Sequence, residues 1–200
     1  PFEEPTPTPT VKPTPTSTPL PPDLIFADDF EAGNVSAWSS ATTDGGDLSV
    51  SGAAKLSGAW GMQTLLDDTK SIYVTDDRPN AEARYRTRFS FDPNSITMGA
   101  NEAYYLFYGY SGSSTIVLRV EFCRCNNTYQ LRAALVNDKT TWSNSAWFTI
   151  SDTPHVIELD WQAATAAGAN NGSLTFWLDG VQQAQLTGID SDTRRIDRVH

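Results

Sequence analysis

The sequence predicts an all-β protein: a two-sheet antiparallel β-sandwich of the jelly-roll type, preceded by an extended arm rich in proline and threonine. Beyond residue 23, segments of alternating apolar and polar residues recur about every ten residues, and turn residues bound them. No stretch of about 12 residues shows the apolar periodicity of an amphipathic helix. Many short strands of this kind are typical of sandwiches and jelly rolls. We therefore divide the chain into an arm, residues 1–22, and a sandwich, residues 23–200.

Twelve strands follow from this alternation. The first four are short apolar runs bounded by Gly, Asp or Ser, and the longer strands that follow combine β-branched and aromatic residues. The last two form a tight hairpin, because Asp179 and Gly180 are a typical turn pair between them. The predicted strands are 24–30, 47–51, 61–67, 71–75, 82–91, 103–110, 114–123, 128–136, 146–150, 155–162, 172–179 and 181–186.

Parity within the strands assigns side chains to the two faces of a sheet. Ile157, Leu159 and Trp161, for example, point into the core, and the residues between them are polar. If the charged strands share one sheet, its outer face is one of two things. It is a solvated surface of cross-strand ion pairs, or it is a face for a ligand or a subunit with Trp177 as a stacking platform. The residues of this ligand face are Arg84, Arg86, Arg88, Arg119, Glu121, Arg132, Glu158, Asp160, Gln162 and Trp177.

The charge of the chain argues against two classes of partner. The formal net charge is −10, from 24 acidic and 14 basic residues. Such a chain is repelled by the phosphates of nucleic acids and by anionic membrane surfaces. No apolar run approaches the about 18 residues of a membrane span. We therefore expect no nucleic acid and no membrane span.

Three features predict an extracellular or cell-surface protein. The arm has the composition of a stalk that carries O-linked glycans. Asn34, Asn126 and Asn171 each begin an N-x-S/T sequon. Cys123 and Cys125 either form a disulfide across a local bend or remain free or intermolecular thiols, and they lack the companions of a zinc site. The candidates for O-glycosylation are Thr6, Thr8, Thr10, Thr14, Thr16, Ser17 and Thr18.

The arm also has a regular backbone pattern. The prolines from Pro5 to Pro21 all have odd numbers, so an extended arm has its missing N–H groups on one edge and intact donors on the other. Such a strand pairs with a sheet on one side only, which prevents further growth of that sheet. As a polyproline II helix of about 3.1 Å per residue, the arm spans about 68 Å. We expect it to dock on a neighbouring sandwich through Pro5, Thr6, Pro7, Thr8, Pro9, Thr10, Val11, Pro13, Thr14, Pro15 and Thr16.

Three segments carry a resemblance to a known superfamily. They are DDFEAGNVSAW, HVIELDWQ and NGSLTFWLDGVQQAQLTG. In these segments the chain resembles the concanavalin A-like lectin/glucanase superfamily, especially the laminin-G-like modules of bacterial surface and secreted proteins. The resemblance covers about residues 24–200 and implies the sandwich fold. It does not imply one function, because the superfamily contains hydrolases, lectins, adhesins and spacers.

The resemblance further implies an open edge. Modules of this kind continue past the R-x-D-R-V segment into a strand that lies beside the first strand, whereas this sequence ends at residue 200. If that end is natural, the sandwich lacks an edge strand and has unpaired backbone groups. We expect a strand from a neighbouring subunit to fill the groove.

The glucanases of this superfamily provide a test for catalysis. Their E-x-D-x-E motif places a nucleophile, a tuning aspartate and an acid/base on one face of a strand. The corresponding residues here are Glu158, Asp160 and Gln162, and a glutamine cannot deliver a proton to a leaving group. His155 points into the core by parity, and no G-x-S-x-G motif or metal-spaced histidine pair occurs. We therefore expect no catalysis.

No cofactor is required by these motifs, but the resemblance implies a structural calcium ion. Sandwiches of this superfamily often fix their ends with calcium, and carboxylates near strand ends supply hard oxygen ligands. The resemblance points to Asp29 and Glu31 as ligands. Acidic pairs are also ordinary turn residues.

Two functions fit the sequence. The first is a non-catalytic extracellular structural subunit that polymerises into a surface filament or sheath as the arm docks on a neighbouring sandwich. The second is a carbohydrate-binding module tethered by the arm to a secreted enzyme or surface protein. It requires an exposed aromatic residue near a groove, such as Trp177, Trp142 or Tyr108. The even-numbered Tyr104, Tyr108 and Tyr110 equally suit the core.

Overall fold

Alternating apolar and polar residues form strands distributed along residues 23–200, the part of the chain that the structure, a computed structural model, describes. Two short 3₁₀ turns, Asp44–Gly46 and Gly52–Ala54, accompany them. The strands are Ser40–Thr42 (β1), Leu48–Ser51 (β2), Gly61–Thr64 (β3), Tyr73–Thr75 (β4), Arg84–Phe91 (β5), Ala103–Ser111 (β6), Thr115–Cys125 (β7), Thr128–Val136 (β8), Trp142–Asn144 (β9), Phe148–Thr149 (β10), His155–Gln162 (β11), Gly172–Leu178 (β12), Val181–Ile189 (β13) and Arg198–Val199 (β14).

These strands pair into two main antiparallel sheets. The large sheet has six strands in the order β10-β8-β7-β6-β14, with β9 also paired to β8. The small sheet has four strands in the order β13-β12-β11-β5. Two ribbons, β1 with β4 and β2 with β3, complete the fold. The predicted fold class, an all-β antiparallel sandwich, is confirmed.

The core lies between the inner faces of the two main sheets. Trp161 of β11, Phe122 of β7 and Phe176 of β12 are its largest fully buried side chains. Ile157 and Leu159 are 0% exposed, as their parity predicts. Each such side chain stabilises the fold by about 1.5–3 kcal/mol relative to an exposed position. The alternation read from the sequence is therefore the pattern that joins the sheets.

The predicted first strand, residues 24–30, is wrong because this segment is a loop organised around Trp38. Asp28 accepts hydrogen bonds from the Phe30 N–H at 3.0 Å and from the indole N–H of Trp38 at 2.8 Å. Phe26 packs edge-on against the Trp38 ring, with 4.7 Å between ring centres. Phe30 has a φ of 62°, which interrupts an extended strand. Side-chain packing around one tryptophan overrides the alternation here.

The other eleven predicted strands correspond to observed strands, with small shifts at their ends. Three strands were not predicted: β1, β9 and β14. Each is two or three residues long, too short to show an alternating pattern. β14 pairs with β6, and its Val199 forms a bridge with Asp76 on the other side. Such short strands depend on their tertiary partners.

A β-bulge in β6 reverses the parity of its tyrosines. Tyr105 and Phe107 lie opposite consecutive residues of β7, so Leu106 is an extra residue in the ladder. Tyr104, before the bulge, packs against the core. Tyr108, after the bulge, contacts Tyr105 on the outer face with 4.8 Å between ring centres. The idea that even-numbered tyrosines share the core therefore holds for Tyr104 and is wrong for Tyr108.

The arm, residues 1–22, lies outside the described residues. The docking and O-glycosylation predicted for it stay predictions. Among residues 23–200, no helix has both the length and the apolar character that crossing a membrane requires.

The first prediction concerns Trp161, which is 0% exposed and whose indole N–H has no hydrogen-bond partner among the described residues. Trp161→Ala should lower the free energy of unfolding by about 3–5 kcal/mol, because it leaves a cavity. Trp161→Phe should cost about 1 kcal/mol or less, because the smaller cavity is offset by removal of an unpaired buried donor. Urea unfolding measures both. A loss in Trp161→Phe well above about 1 kcal/mol would mean that the indole N–H is hydrogen-bonded in solution.

Candidate functional site

The ten residues of the predicted ligand face lie on two different outer faces. The two groups belong to separate sheets, because β5 pairs with β11 whereas β7 pairs with β6 and β8. The structure therefore does not bring the ten residues together. Arg84, Arg86, Arg88, Glu158, Asp160, Gln162 and Trp177 belong to the small sheet, and Arg119, Glu121 and Arg132 belong to the large sheet.

The outer face of the small sheet is an exposed ladder of ion pairs. Arg84 donates to both carboxylate oxygens of Asp160, at 2.9 and 2.5 Å, and this pairing raises the pKa of the arginine. Glu158 lies 3.7 Å from Arg86 and 3.7 Å from Arg88. The Arg86 guanidinium lies 5.7 Å from the ring centre of the tryptophan on this face. These contacts are the cross-strand ion pairs of the first interpretation, and a ligand or subunit face with Trp177 as a platform stays a prediction.

The outer face of the large sheet is built around a buried carboxylate. Glu121 of β7 is only 3% exposed. Arg132 of β8, directly opposite, donates two hydrogen bonds to Glu121 Oε2, at 3.0 and 2.7 Å. Arg119 Nε lies 2.7 Å from Glu121 Oε1, outside hydrogen-bond geometry, so this second contact is an ionic one. A carboxylate removed from water is stabilised in this way by two cations.

Aromatic rings cover the two guanidinium groups of this cluster. The Arg119 guanidinium lies 4.0 Å from the ring centre of Trp142 and 5.5 Å from that of Tyr105. The Arg132 guanidinium lies 4.4 Å from the ring centre of Trp147. These distances are those of cation–π contacts. Each guanidinium therefore has its edge on the carboxylate and a flat face on an aromatic ring.

A continuous series of rings extends from this cluster across β6 and β14 to β4. Tyr105 is 4.8 Å from Tyr108, and Tyr108 is 5.7 Å from Tyr110, between ring centres. His200 lies 4.6 Å from Tyr110 and stacks on Tyr73 at 4.4 Å. Tyr105 is the most accessible of these residues, at 48% exposed. We call the whole surface the aromatic–arginine face; it consists of Tyr73, Tyr105, Tyr108, Tyr110, Arg119, Glu121, Arg132, Trp142, Trp147 and His200.

Burial shifts the pKa of three rings of this face. Burial, followed by the neighbouring tyrosines, raises the pKa of Tyr108. The pKa of Tyr110 is also raised, again chiefly by burial. Burial and the Arg198 charge lower the pKa of His200. Each of these shifts favours the uncharged form of its ring.

Sequence reasoning found only part of this face. It identified Arg119, Glu121 and Arg132, and it named Trp142 and Tyr108 as candidate platforms. It missed Trp147 and the rest of the ring series. The tyrosine-rich segment AYYLFYGY was a usable signal, but parity alone suited Tyr108 and Tyr110 to the core together with Tyr104, because the bulge is invisible in the sequence.

The His155 side chain is only 10% exposed, in keeping with its parity, and it joins two loops. Its Nδ1 lies 2.7 Å from Asp179 Oδ2, and its Nε2 lies 3.0 Å from the Ser151 hydroxyl. These distances also suit a nucleophile, base and carboxylate. The Ser151 hydroxyl, however, is shared with Thr153 at 2.7 Å, and the second oxygen of Asp179 accepts the Val156 N–H. We assign this network to the anchoring of the β12–β13 turn against the start of β11.

The carboxylates named for calcium serve as hydrogen-bond acceptors for the backbone. Asp29 accepts the Glu31 N–H at 3.1 Å, and Glu31 accepts the N–H groups of Ala59 and Trp60 at 2.8 and 3.1 Å. The calcium site at these residues stays a prediction. Within residues 23–200, one group of three carboxylates has ligand atoms within 4.8 Å of one another: Asp138, Asp190 and Asp192. The sequence did not predict this group.

Cys123 is buried at 0% exposed and Cys125 is half-buried, whereas the three sequon asparagines are exposed. Cys123 and Cys125 form a disulfide at the end of β7, with 5.4 Å between their Cα atoms. Of the two alternatives left open by the sequence, the structure therefore has the disulfide and not the free thiols. Asn126 follows in the exposed β7–β8 turn with a φ of 53°. Asn34 and Asn171 are also exposed, and their amide groups donate to neighbouring residues. Glycan occupancy at the three sequons stays a prediction.

Comparison with known proteins supports the fold. No family model matches the chain, and no curated protein matches it. An endo-β-1,4-glucuronan lyase from the fungus Trichoderma reesei matches with a TM-score of 0.63 and 14% identity, over 84% of this chain and 79% of the lyase. The globular domain of T. cruzi calreticulin matches with a TM-score of 0.46 and 16% identity, over 74% of this chain and 60% of that chain. The lyase match supports the β-sandwich fold, and the concanavalin A-like and laminin-G-like assignments stay resemblances.

The expectation of no catalysis is wrong as an inference from the missing motif. The fold is shared with an enzyme, the glucuronan lyase. The glutamine at position 162 removes a glucanase acid/base, but it does not remove other chemistry that this fold supports. At 14% identity the likeness shows the fold alone and assigns no reaction to this chain.

The second prediction concerns the buried carboxylate. Glu121→Gln should lower the free energy of unfolding by about 3 kcal/mol, because two arginines lose a buried counter-charge. Glu158→Gln is the matched control, since Glu158 also faces two arginines but at 3.7 Å and with 21% of its side chain exposed. It should cost less than about 1 kcal/mol. Urea unfolding of both variants measures the difference, and equal losses would contradict the importance of burial.

The third prediction concerns pH. Burial raises the pKa of Asp179, but the Val156 N–H and His155 outweigh it, so the net shift is downward. Its stabilising contribution is therefore present above the unfolded pKa of about 3.9 and is lost as the pH falls through the folded pKa. The destabilisation caused by Asp179→Asn should shrink over that acid range, as measured by urea unfolding at several pH values.

Asp192 is the control, because its pKa is shifted in the direction opposite to that of Asp179. Burial and Asp138 raise the pKa of Asp192. Its ionised form is therefore destabilising in the folded protein, and Asp192→Asn should stabilise at neutral pH, with the gain disappearing below a pH of about 3.9. The same pH trend in both variants would contradict the assigned shifts.

Proposed function

We propose that the chain is an extracellular carbohydrate-binding protein whose ligand is an acidic polysaccharide, bound on the aromatic–arginine face. The observation that carries this proposal is the continuous series of rings next to two guanidinium groups. Flat aromatic rings pack against the apolar faces of sugars, and arginines bind carboxylates. The face offers both along one surface.

The charges of the face favour a uronate over a neutral sugar. Two guanidiniums meet one carboxylate there, which leaves one local positive charge that must offset the long-range repulsion of a polyanion by the chain's net charge of −10. Arg132 uses Nε and Nη2 on Glu121, and its side chain is 26% exposed, so Nη1 remains for a ligand. Guanidinium groups are well matched to planar carboxylates. The protonated phenols of Tyr108 and Tyr110 add hydrogen-bond donors for sugar oxygens.

The lyase neighbour supports the same ligand class. Its name states that it acts on glucuronan, and its fold matches over most of both chains. Binding and cleavage of such a polymer both require a face that takes sugar rings and carboxylates. The disulfide in the β7–β8 hairpin is in keeping with an extracellular location.

The fourth prediction tests the site. Tyr105→Ala should weaken binding of polyglucuronate by about tenfold, because it removes the most accessible ring of the face, a loss of about 1.4 kcal/mol. Arg132→Lys should weaken it as well, since lysine keeps the charge but loses the planar fork. Isothermal titration calorimetry with the full chain measures both, with a neutral β-glucan as the comparison ligand.

Trp177→Ala is the matched control, because Trp177 lies on the outer face of the small sheet. It should leave binding unchanged. Loss of binding in Trp177→Ala but not in Tyr105→Ala would assign the ligand to the small sheet and contradict the proposal. Equal affinity for the neutral glucan would contradict the acidic specificity. The same solutions are assayed for unsaturated sugar products, which would show that the face also cleaves the polymer.

A further inference from the structure

The outer edge of β5 carries unpaired backbone groups. β5 is paired on one side, with β11. The Ala163 N–H donates to the Ala83 carbonyl, in register with the β5–β11 ladder, so the odd-numbered residues of β5 direct their backbone groups to β11. Glu82 confirms the alternation, because it exchanges both backbone hydrogen bonds with Ile196 on the opposite side. From Arg84 onward, the even-numbered residues have no such partner within residues 23–200.

A cleft of about 620 Å³ lies along this edge. It is lined on one side by residues 23–26 and on the other by Glu82 and residues 84–86. Long free edges are usually blocked in natural sheets, because they template pairing with other chains. β5 is eight residues long and contains no proline. An edge of this kind, next to a cleft, has the form of a strand-accepting site.

We propose that the edge of β5 accepts a strand from the chain's own residues before Asp23, which adds a fifth strand to the small sheet; this intramolecular docking is an alternative to the docking on a neighbouring sandwich expected from the sequence. The tether favours this occupant. The ring of Phe26 lies under the guanidinium of Arg78, 4.5 Å from its centre, and Arg78 is six residues before the start of β5. Asp23 lines the cleft together with residues of β5 itself. Traced backwards from Phe26, the chain thus leaves the described part at this edge. A tethered segment has a high effective concentration there.

The sequence of the arm fits an edge that pairs on one side. Thr14, Thr16, Thr18 and Leu20 keep their backbone N–H groups, and the prolines between them are all odd-numbered. In an extended strand, the even-numbered N–H groups share one edge. That edge pairs with β5, and the proline edge closes the sheet to further strands.

Charge argues against a second copy of β5 as the occupant. Arg84, Arg86 and Arg88 share one face of the strand, with side chains 62–68% exposed. Pairing of two copies of β5 would bring two rows of arginines together, which is unfavourable for like charges on neighbouring strands. The segment from Thr14 to Leu20 contains no charged residue. This inference goes beyond the proposed function, because it concerns the opposite sheet.

The fifth prediction uses amide hydrogen exchange of the full chain, measured by NMR. The N–H groups of Arg86 and Arg88 should exchange slowly, as those of Tyr85 and Thr87 do on the β11 side. Thr18→Pro removes a donor from the pairing edge and should make Arg86 and Arg88 exchange on the order of tenfold faster or more, because their hydrogen bonds open. Ser17→Pro is the matched control: it places a proline on the odd-numbered edge and should leave protection unchanged.

Each other outcome overturns the proposal. Fast exchange of Arg86 and Arg88 in the unmodified chain means that the edge is free. Equal effects of Thr18→Pro and Ser17→Pro mean that the parity of the arm is not used. Protection that rises with protein concentration, together with a dimer or polymer in light scattering, assigns the edge to a second copy. Retained protection of Tyr85 and Thr87 shows that each variant is folded.

Discussion

The constraint on which the outer face of the large sheet depends is the burial of the Glu121 carboxylate. At 3% exposure, this charge requires compensation, and two arginines from adjacent strands provide it at 2.7 Å. The guanidinium edges of Arg119 and Arg132 contact the carboxylate, and their flat faces pack against the rings of Trp142 and Trp147. One buried charge therefore orders a layer of side chains outside the sheet. The ordinary hydrophobic core lies on the other side of the same strands.

The two sheets consequently have different outer faces despite similar compositions. Both carry arginines opposite carboxylates. On the small sheet, Arg86 and Arg88 lie 3.7 Å from their carboxylate and are mostly exposed, so solvent screens the pairs. On the large sheet, rings cover both arginines and the Glu121 side chain is only 4% exposed, so solvent screens its two contacts much less. The bulge at Leu106 adds the tyrosines to this second face, because it turns Tyr108 outward. Burial, not the identity of the residues, separates the two.

The correction about catalysis has the same physical basis. The residues that correspond to the glucanase motif lie on β11, whose outer face is the exposed ladder. Its Glu158 and Asp160 are bound by arginines of β5, so they are parts of that ladder. The residues that combine rings, cations and protonated phenols lie on the opposite sheet. A motif that is absent from one sheet does not describe the chemistry of the other, and a fold shared with a lyase at 14% identity leaves the reaction to be established from the site.

The sequence by itself determined the fold class, eleven of the twelve predicted strands and the burial of residues such as Leu159 and Trp161, because alternation with period two is a local property of the chain. It also identified Glu121 and Arg132 as outward-facing partners. Only the tertiary structure decided which charged strands share a sheet, where a bulge reverses parity, and how far each ion pair is buried. These properties depend on contacts between residues distant in sequence, as between Tyr110 and His200, and no local pattern encodes them.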